Sequence, residues 1–170
     1  MVEAGPIAIA TVNELEADTF VALFGAVFED TPALAAAAFE RRPFADRDDL
    51  LAAFELVLAA LPAADHLALL RAHPMLGATG PMAAASVDEQ ASAGLDDVDA
   101  ELRARLAADN QAYLARFGFP FVIAVRGLGV ADIAAAMTVR LHQPAEVEQA
   151  TALEQVARIA ALRIERLVEP

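Results

Sequence analysis

The chain reads as all-α, a single-domain bundle of about eight helices with one short extended segment. Three observations predict this. Along most of the 170 residues apolar side chains recur at helical rather than alternating spacing. Proline and short polar residues fall where those stripes begin, and glycine where they end. One run alone, Phe119 to Val125, looks extended, and a lone run does not make a sheet. The length fits one domain with room for a dry pocket, and no internal repeat, low-complexity tract or linker interrupts it.

Phe20, Leu23, Phe24 and Val27 follow the i, i+3, i+4, i+7 pattern, which predicts a first amphipathic helix ending near Glu29-Asp30. Thr31 as N-cap and Pro32 in the first helical position start a second, which runs to Arg41 and stops before Pro43. Asp46 caps a third, carrying Leu50, Leu51, Phe54, Val57, Leu58 and Leu61; Pro62 separates it from a fourth around Leu67 to Arg71. Pro74 disfavours helical geometry at His73, so the imidazole sits at a helix end. Gly77, Gly80 and Pro81 mark a loop, Ser86 opens a short helix and Gly94 closes it. A long helix from Val98 carries Leu102, Leu106, Tyr113 and Leu114 and ends at Phe117-Gly118. After the extended run, Asp132 or its neighbours begin a helix through Met137 to Leu141. Pro144 begins the last, with Leu153, Val156, Ile159, Ala160 and Leu167 on one side and Arg163 interrupting that stripe.

Composition excludes several function classes. With 25 acidic and 12 basic residues the net charge is −13, a field that repels nucleic acid phosphates and anionic membrane surfaces. An anionic substrate would then need a local cation. Every basic residue is Arg, and Lys and Cys are absent, which rules out a protein Schiff base, a thiolate nucleophile, an iron–sulfur cluster and a disulfide. The start, Met1-Val2-Glu3-Ala4-Gly5-Pro6, lacks a basic, then apolar export signal, and the apolar stretch Leu50 to Leu70 is broken by Glu55, Pro62, Asp65 and His66. A cytoplasmic protein with no membrane and no nucleic-acid partner is expected.

The concentrated chemistry lies between His73 and Leu95. Ser86-x-x-Glu89 matches a capping box, which by itself accounts for Glu89 as a helix-start residue and leaves Gln90 a solvated one. His73 at a helix C-terminus can simply answer the last carbonyls. The functional alternative is that the capped start lies one loop from His73 and presents polar groups toward it. Arg163 on an apolar face needs a carboxylate, backbone carbonyls or an anionic ligand. The Phe121 to Val125 run is a buried connector or a source of backbone donors and acceptors for a ligand. His66 and His142 fit surface or packing roles, and no His/Cys spacing suits a metal. A Ser86–His73–Glu89 hydrolase triad lacks the G-x-S-x-G elbow.

Phe39-Glu40-Arg41-Arg42-Pro43-Phe44, Ala72-His73-Pro74-x-Leu76-Gly77, Ser86-x-x-Glu89-Gln90-x-x-Ala93-Gly94-Leu95 and Asn110-x-x-Tyr113-x-x-x-Phe117-Gly118-Phe119-Pro120-Phe121-Val122-Ile123 occur in that order. Together with Ile159 to Ile164 they resemble the 2-oxo-4-hydroxy-4-carboxy-5-ureidoimidazoline (OHCU) decarboxylase family, from about Asn13 to about Val168. The chain departs from that pattern at Met75, at Leu34 and in the lysine-free loop Ala78 to Pro81.

The resemblance implies a single all-helical domain and an enzyme of urate degradation that turns OHCU into (S)-allantoin and carbon dioxide without cofactor or metal, commonly as a homodimer. Carried over by position, His73 is the catalytic residue; a proton-transfer mechanism there would have Glu89 orient and tune it. Pro74, Ser86, Val87, Asp88, Glu89, Gln90 and the main chain of Phe121, Val122, Ile123, Ala124 and Val125 fall where substrate is held. Arg163 falls where an anionic or carbonyl group is bound. The rival class is a helical binding module that keeps the fold without the chemistry.

Overall fold

The structure, a computed structural model, describes residues 5–29, 31–76, 87–89, 91, 93–94 and 98–170. Eight helices are delimited among them: α1 (Ile9–Glu14), α2 (Ala17–Phe24), α3 (Pro32–Phe39), α4 (Arg47–Ala59), α5 (Ala63–Ala72), α6 (Ala100–Phe117), α7 (Val130–Arg140) and α8 (Ala145–Leu167). Residues 87–89 and 91 are helical too. The described residues contain no strand; an isolated parallel bridge joins Ile7 to Val168. The fold is all-α, as the periodicity predicts. No single described helix is long and apolar enough to cross a membrane.

The chain divides into two compact units, one of residues Met1–His66 with Ala157–Pro170 and one of Leu67–Val156. The first is organised around Phe20, whose ring centroid lies 4.6 Å from that of Phe24, 5.4 Å from Phe39 and 6.4 Å from Phe54. Truncating so central a ring costs roughly 3–5 kcal/mol. Asp46 caps α4 by accepting from the Asp49 amide at 2.9 Å, as expected from its position.

Several boundaries differ from the sequence reading, among them the starts of α5 at Ala63 instead of near Leu67 and of α6 at Ala100 instead of Val98, and one helix is additional. α1 spans six residues and its N-cap, Ala8, has no capping side chain, so it carries neither stripe nor start signal. α3 ends at Phe39 instead of Arg41 because the chain tightens there: the amides of Arg41 and Arg42 reach only three residues back, to Ala38 and Phe39, ahead of Pro43. α2 ends at Phe24 instead of near Glu29, although Val27 and Phe28 remain buried. Arg163 takes the carbonyls of Ala26 and Val27, and Glu29 adopts φ 54°. The apolar stripe continues past the helix; a tertiary partner replaces the helical hydrogen bonds.

The second unit is built along α6. Asp99 caps its start by accepting from the Leu102 amide at 2.8 Å, and Gly118 ends it at φ 75°, a conformation that suits glycine. Residues 120–125 then run outside any helix before α7, where Asp132 accepts from the Gly129 amide at 3.1 Å. Leu69, Leu70, Leu106, Tyr113, Phe121, Ile133 and Met137 are among its buried core.

Candidate active site

α5 stops one residue before His73, and Pro74 follows, so the local sequence alone places the imidazole at the helix terminus. The His73 amide reaches back three residues to Leu70, and the ring turns inward, 6% exposed, with Nδ1 2.9 Å from the Leu69 carbonyl. A carbonyl only accepts, so Nδ1 carries the proton and, in the neutral ring, Nε2 is the acceptor. Pro74 is half-buried. Beyond it Leu76 is buried and its carbonyl accepts from Asn110 Nδ2 at 2.9 Å.

Two elements of the site are linked directly. Arg71, two residues before His73, donates from Nε to the Gly118 carbonyl at 2.9 Å, at the head of the 119–125 run. In that run Phe121, Val122, Ala124 and Val125 are buried and Ile123 is half-buried. Three of its main-chain groups are engaged within the protein. The Val122 carbonyl accepts from Arg140 at 2.8 Å, the Ala124 amide donates to Gln155 Oε1 at 3.1 Å, and the Val125 carbonyl accepts from the Leu128 amide at 2.9 Å. The run is therefore a braced connector as well as a possible source of ligand contacts.

Val87, Asp88 and Glu89 are helical; Val87 and Asp88 are exposed and Glu89 is half-buried. Gly94 ends this segment at φ 75° with its amide on the Ala91 carbonyl. Ser86, Gln90 and the loop 78–81 lie outside the described residues, and so does the Ser86–Glu89 capping box. Among the described residues no group of three or more His, Asp or Glu side chains is placed to hold a metal.

Arg163 belongs to the first unit. It is 5% exposed, donates to the Ala26 and Val27 carbonyls at 3.0 and 3.3 Å, and pairs with Glu29 Oε1 at 2.9 Å. Its charge is answered by the carboxylate and carbonyls that an arginine on an apolar face requires.

Sequence reasoning missed a second buried ion pair. Arg140 and Glu148 meet at 2.6 Å, and the Tyr113 hydroxyl donates to the same Glu148 carboxylate. Burial, then the bond to Glu148, pushes the Tyr113 hydroxyl well above its ordinary pKa of 10.0. The signal was present. Arg140 continues the buried stripe Ile133–Met137, and Glu148 the stripe Ala152–Val156, each as a charge on an apolar face.

The OHCU decarboxylase family profile matches residues 13–165. The chain belongs to the OHCU decarboxylase family. The match spans both compact units and takes in His73, Pro74, residues 86–90, the 121–125 run and Arg163. By family the protein is a decarboxylase, a lyase. It is 41% identical over 153 residues to 2-oxo-4-hydroxy-4-carboxy-5-ureidoimidazoline decarboxylase of Haloferax volcanii, covering 90% of this chain and 91% of that protein. It is 38% identical over 164 residues to the putative human decarboxylase of the same name, covering 94% and 95%. The fold is similar to the crystal structure of (S)-allantoin synthase, with a TM-score of 0.78 and 26% identity over 96% of this chain and 54% of that one.

Proposed function

We propose that this decarboxylase acts in urate degradation, converting OHCU to (S)-allantoin and carbon dioxide by proton transfer through His73, without a cofactor and as one OHCU decarboxylase-like domain. The observation that carries the reading is the buried imidazole of His73, at a proline-stopped helix end inside the family match, with its tautomer set by the Leu69 carbonyl.

The chemistry asks for little beyond positioning. When the bond to the carboxylate breaks, its electron pair passes into the neighbouring imine of the substrate, whose nitrogen takes up a proton from solvent, so the substrate is its own electron sink. The protein must hold the carboxylate out of the ring plane, stabilise the enediol-like intermediate and deliver a proton to one face of one carbon. Nε2 of His73 accepts the substrate hydroxyl proton and returns one to the ring carbon. One-sided delivery sets the S configuration. Imidazole is the side chain that can both accept and donate a proton near neutral pH, which suits both steps.

Around it, Glu89 orients and tunes His73, while Pro74 and the segment Ser86, Val87, Asp88 and Gln90 border the substrate. Main-chain groups of Phe121 to Val125 not engaged by Arg140, Gln155 or Leu128 hydrogen-bond its ureido and ring amides. Arg163 keeps the substrate-contact role that the family position implies, alongside its bonds to Glu29, Ala26 and Val27. A cytoplasmic homodimer completes the reading, for which sedimentation gives the oligomeric state. The test of function is to generate OHCU from urate in situ and follow circular dichroism. The expected result is a faster, one-signed allantoin signal with the protein than without it; racemic allantoin at the uncatalysed rate refutes the reading.

A further inference from the structure

Among the described residues of the second unit, Arg140, Glu148 and Tyr113 form a buried polar cluster against one piece of main chain. Arg140 is 6% exposed and Glu148 is fully buried, and their guanidinium and carboxylate are joined by contacts of 2.6, 2.9 and 3.3 Å. The remaining arm of Arg140, Nη1, donates to the Val122 carbonyl at 2.8 Å, and its guanidinium carbon lies 4.5 Å from the Phe121 ring centroid. Tyr113 donates to Glu148 and sets its ring edge-on against Phe121, centroids 5.3 Å apart. Gln155, seven residues after Glu148 on the same face of α8, accepts from the Ala124 amide at 3.1 Å.

A buried ion pair is weak support for stability, because desolvation offsets much of its attraction. What a planar, fully engaged guanidinium supplies is geometry. Here it holds one carbonyl while Gln155 holds the amide two residues on. In an extended run, groups two residues apart point to the same edge, and those of the residue between them point to the opposite edge. Ile123 is that residue, and it is the half-buried member of an otherwise buried run.

We propose that Arg140, Glu148, Tyr113 and Gln155 are positioning residues that fix the register of Val122 to Ala124, so that the amide and carbonyl of Ile123 are presented to the substrate. The inference rests on the functional reading above. It adds four residues that touch no substrate and act through the main chain.

Gln155→Leu keeps approximate side-chain size and removes the carboxamide that accepts from Ala124. The expected result is a KM about five- to tenfold higher, the effect of one lost well-placed hydrogen bond, with kcat per folded protein held within about twofold. Amide hydrogen exchange accelerates within 121–125 and elsewhere stays as in the parent. Arg140→Lys, which keeps the charge and loses the fork, raises KM further; if it fails to fold, Gln155→Leu and Tyr113→Phe still decide the matter. Unchanged KM or unchanged exchange in Gln155→Leu, with the parent protein active, overturns this inference alone. An inactive parent protein overturns the functional reading and this inference with it.

Discussion

Nδ1 of His73 lies 2.9 Å from the carbonyl oxygen of Leu69, one helical turn back. In a continuing helix that carbonyl would be taken by the amide of residue 73 itself. Pro74 ends the helix, the His73 amide shifts to Leu70, and the side chain takes the vacated acceptor. The same bond that caps α5 therefore fixes which imidazole nitrogen can accept a proton.

Replacing His73 with Ala is expected to lower stereospecific turnover by about 10²–10⁴-fold, the span of positioned acid–base catalysis, with helix content unchanged. Circular dichroism reads both, in the near ultraviolet for allantoin and the far ultraviolet for the fold. Turnover close to the parent rate removes His73 from the mechanism.

The capping role that the sequence suggests for Glu89 and the chemical one proposed for it can be separated. Glu89→Gln preserves hydrogen bonding to a helix start, so a cap survives it. The expected outcome is a melting temperature close to the parent with kcat reduced at least about tenfold, since the carboxylate that tunes His73 is gone. Normal kcat leaves Glu89 as a cap.

The pair of Arg163 and Glu29 predicts a stability effect in the first unit. Arg163→Met removes the guanidinium facing a carboxylate that is 4% exposed and should cost about 3–5 kcal/mol. Adding Glu29→Gln should recover part of that loss, because the buried negative charge that faced Arg163 is then gone. Urea titrations of the two single variants and the double variant give the coupling. Additive losses would show that the two side chains act independently.

Tyr113 sets an alkaline limit. Its hydroxyl keeps its proton in the folded chain at pH values where the unfolded chain has lost it, since burial and Glu148 raise the folded pKa above the ordinary 10.0. This contribution is complete below pH 10 and declines as pH rises above it, by up to about 1.4 kcal/mol per pH unit. Tyr113→Phe should be less stable at pH 8 but flatter between pH 9.5 and about 11. Parallel slopes in urea unfolding for the two proteins would count against it.

Much of this was legible in the chain. Pro32, Asp46, Pro62, Pro74, Gly118 and Pro144 punctuate it where helices begin or end, because each acts through its own backbone or nearest neighbours. The position of His73 at a helix end and the non-helical course of 120–125 followed from the same local rules. Ordered motifs pointed to the family without any spatial information.

Only the tertiary structure decided which charges answer one another. Gly25 caps the end of α2, but nothing in the local sequence announces that Arg163, more than a hundred residues away, takes the carbonyls of Ala26 and Val27 beyond it. Nor does spacing say that Arg140 closes on Glu148 and Val122, or that Tyr113 shares the carboxylate. Helix starts and stops depend on interactions within a turn of chain. Buried charge requires a partner but does not specify its place in the sequence, and among 25 acidic residues the packing alone selects Glu29 and Glu148.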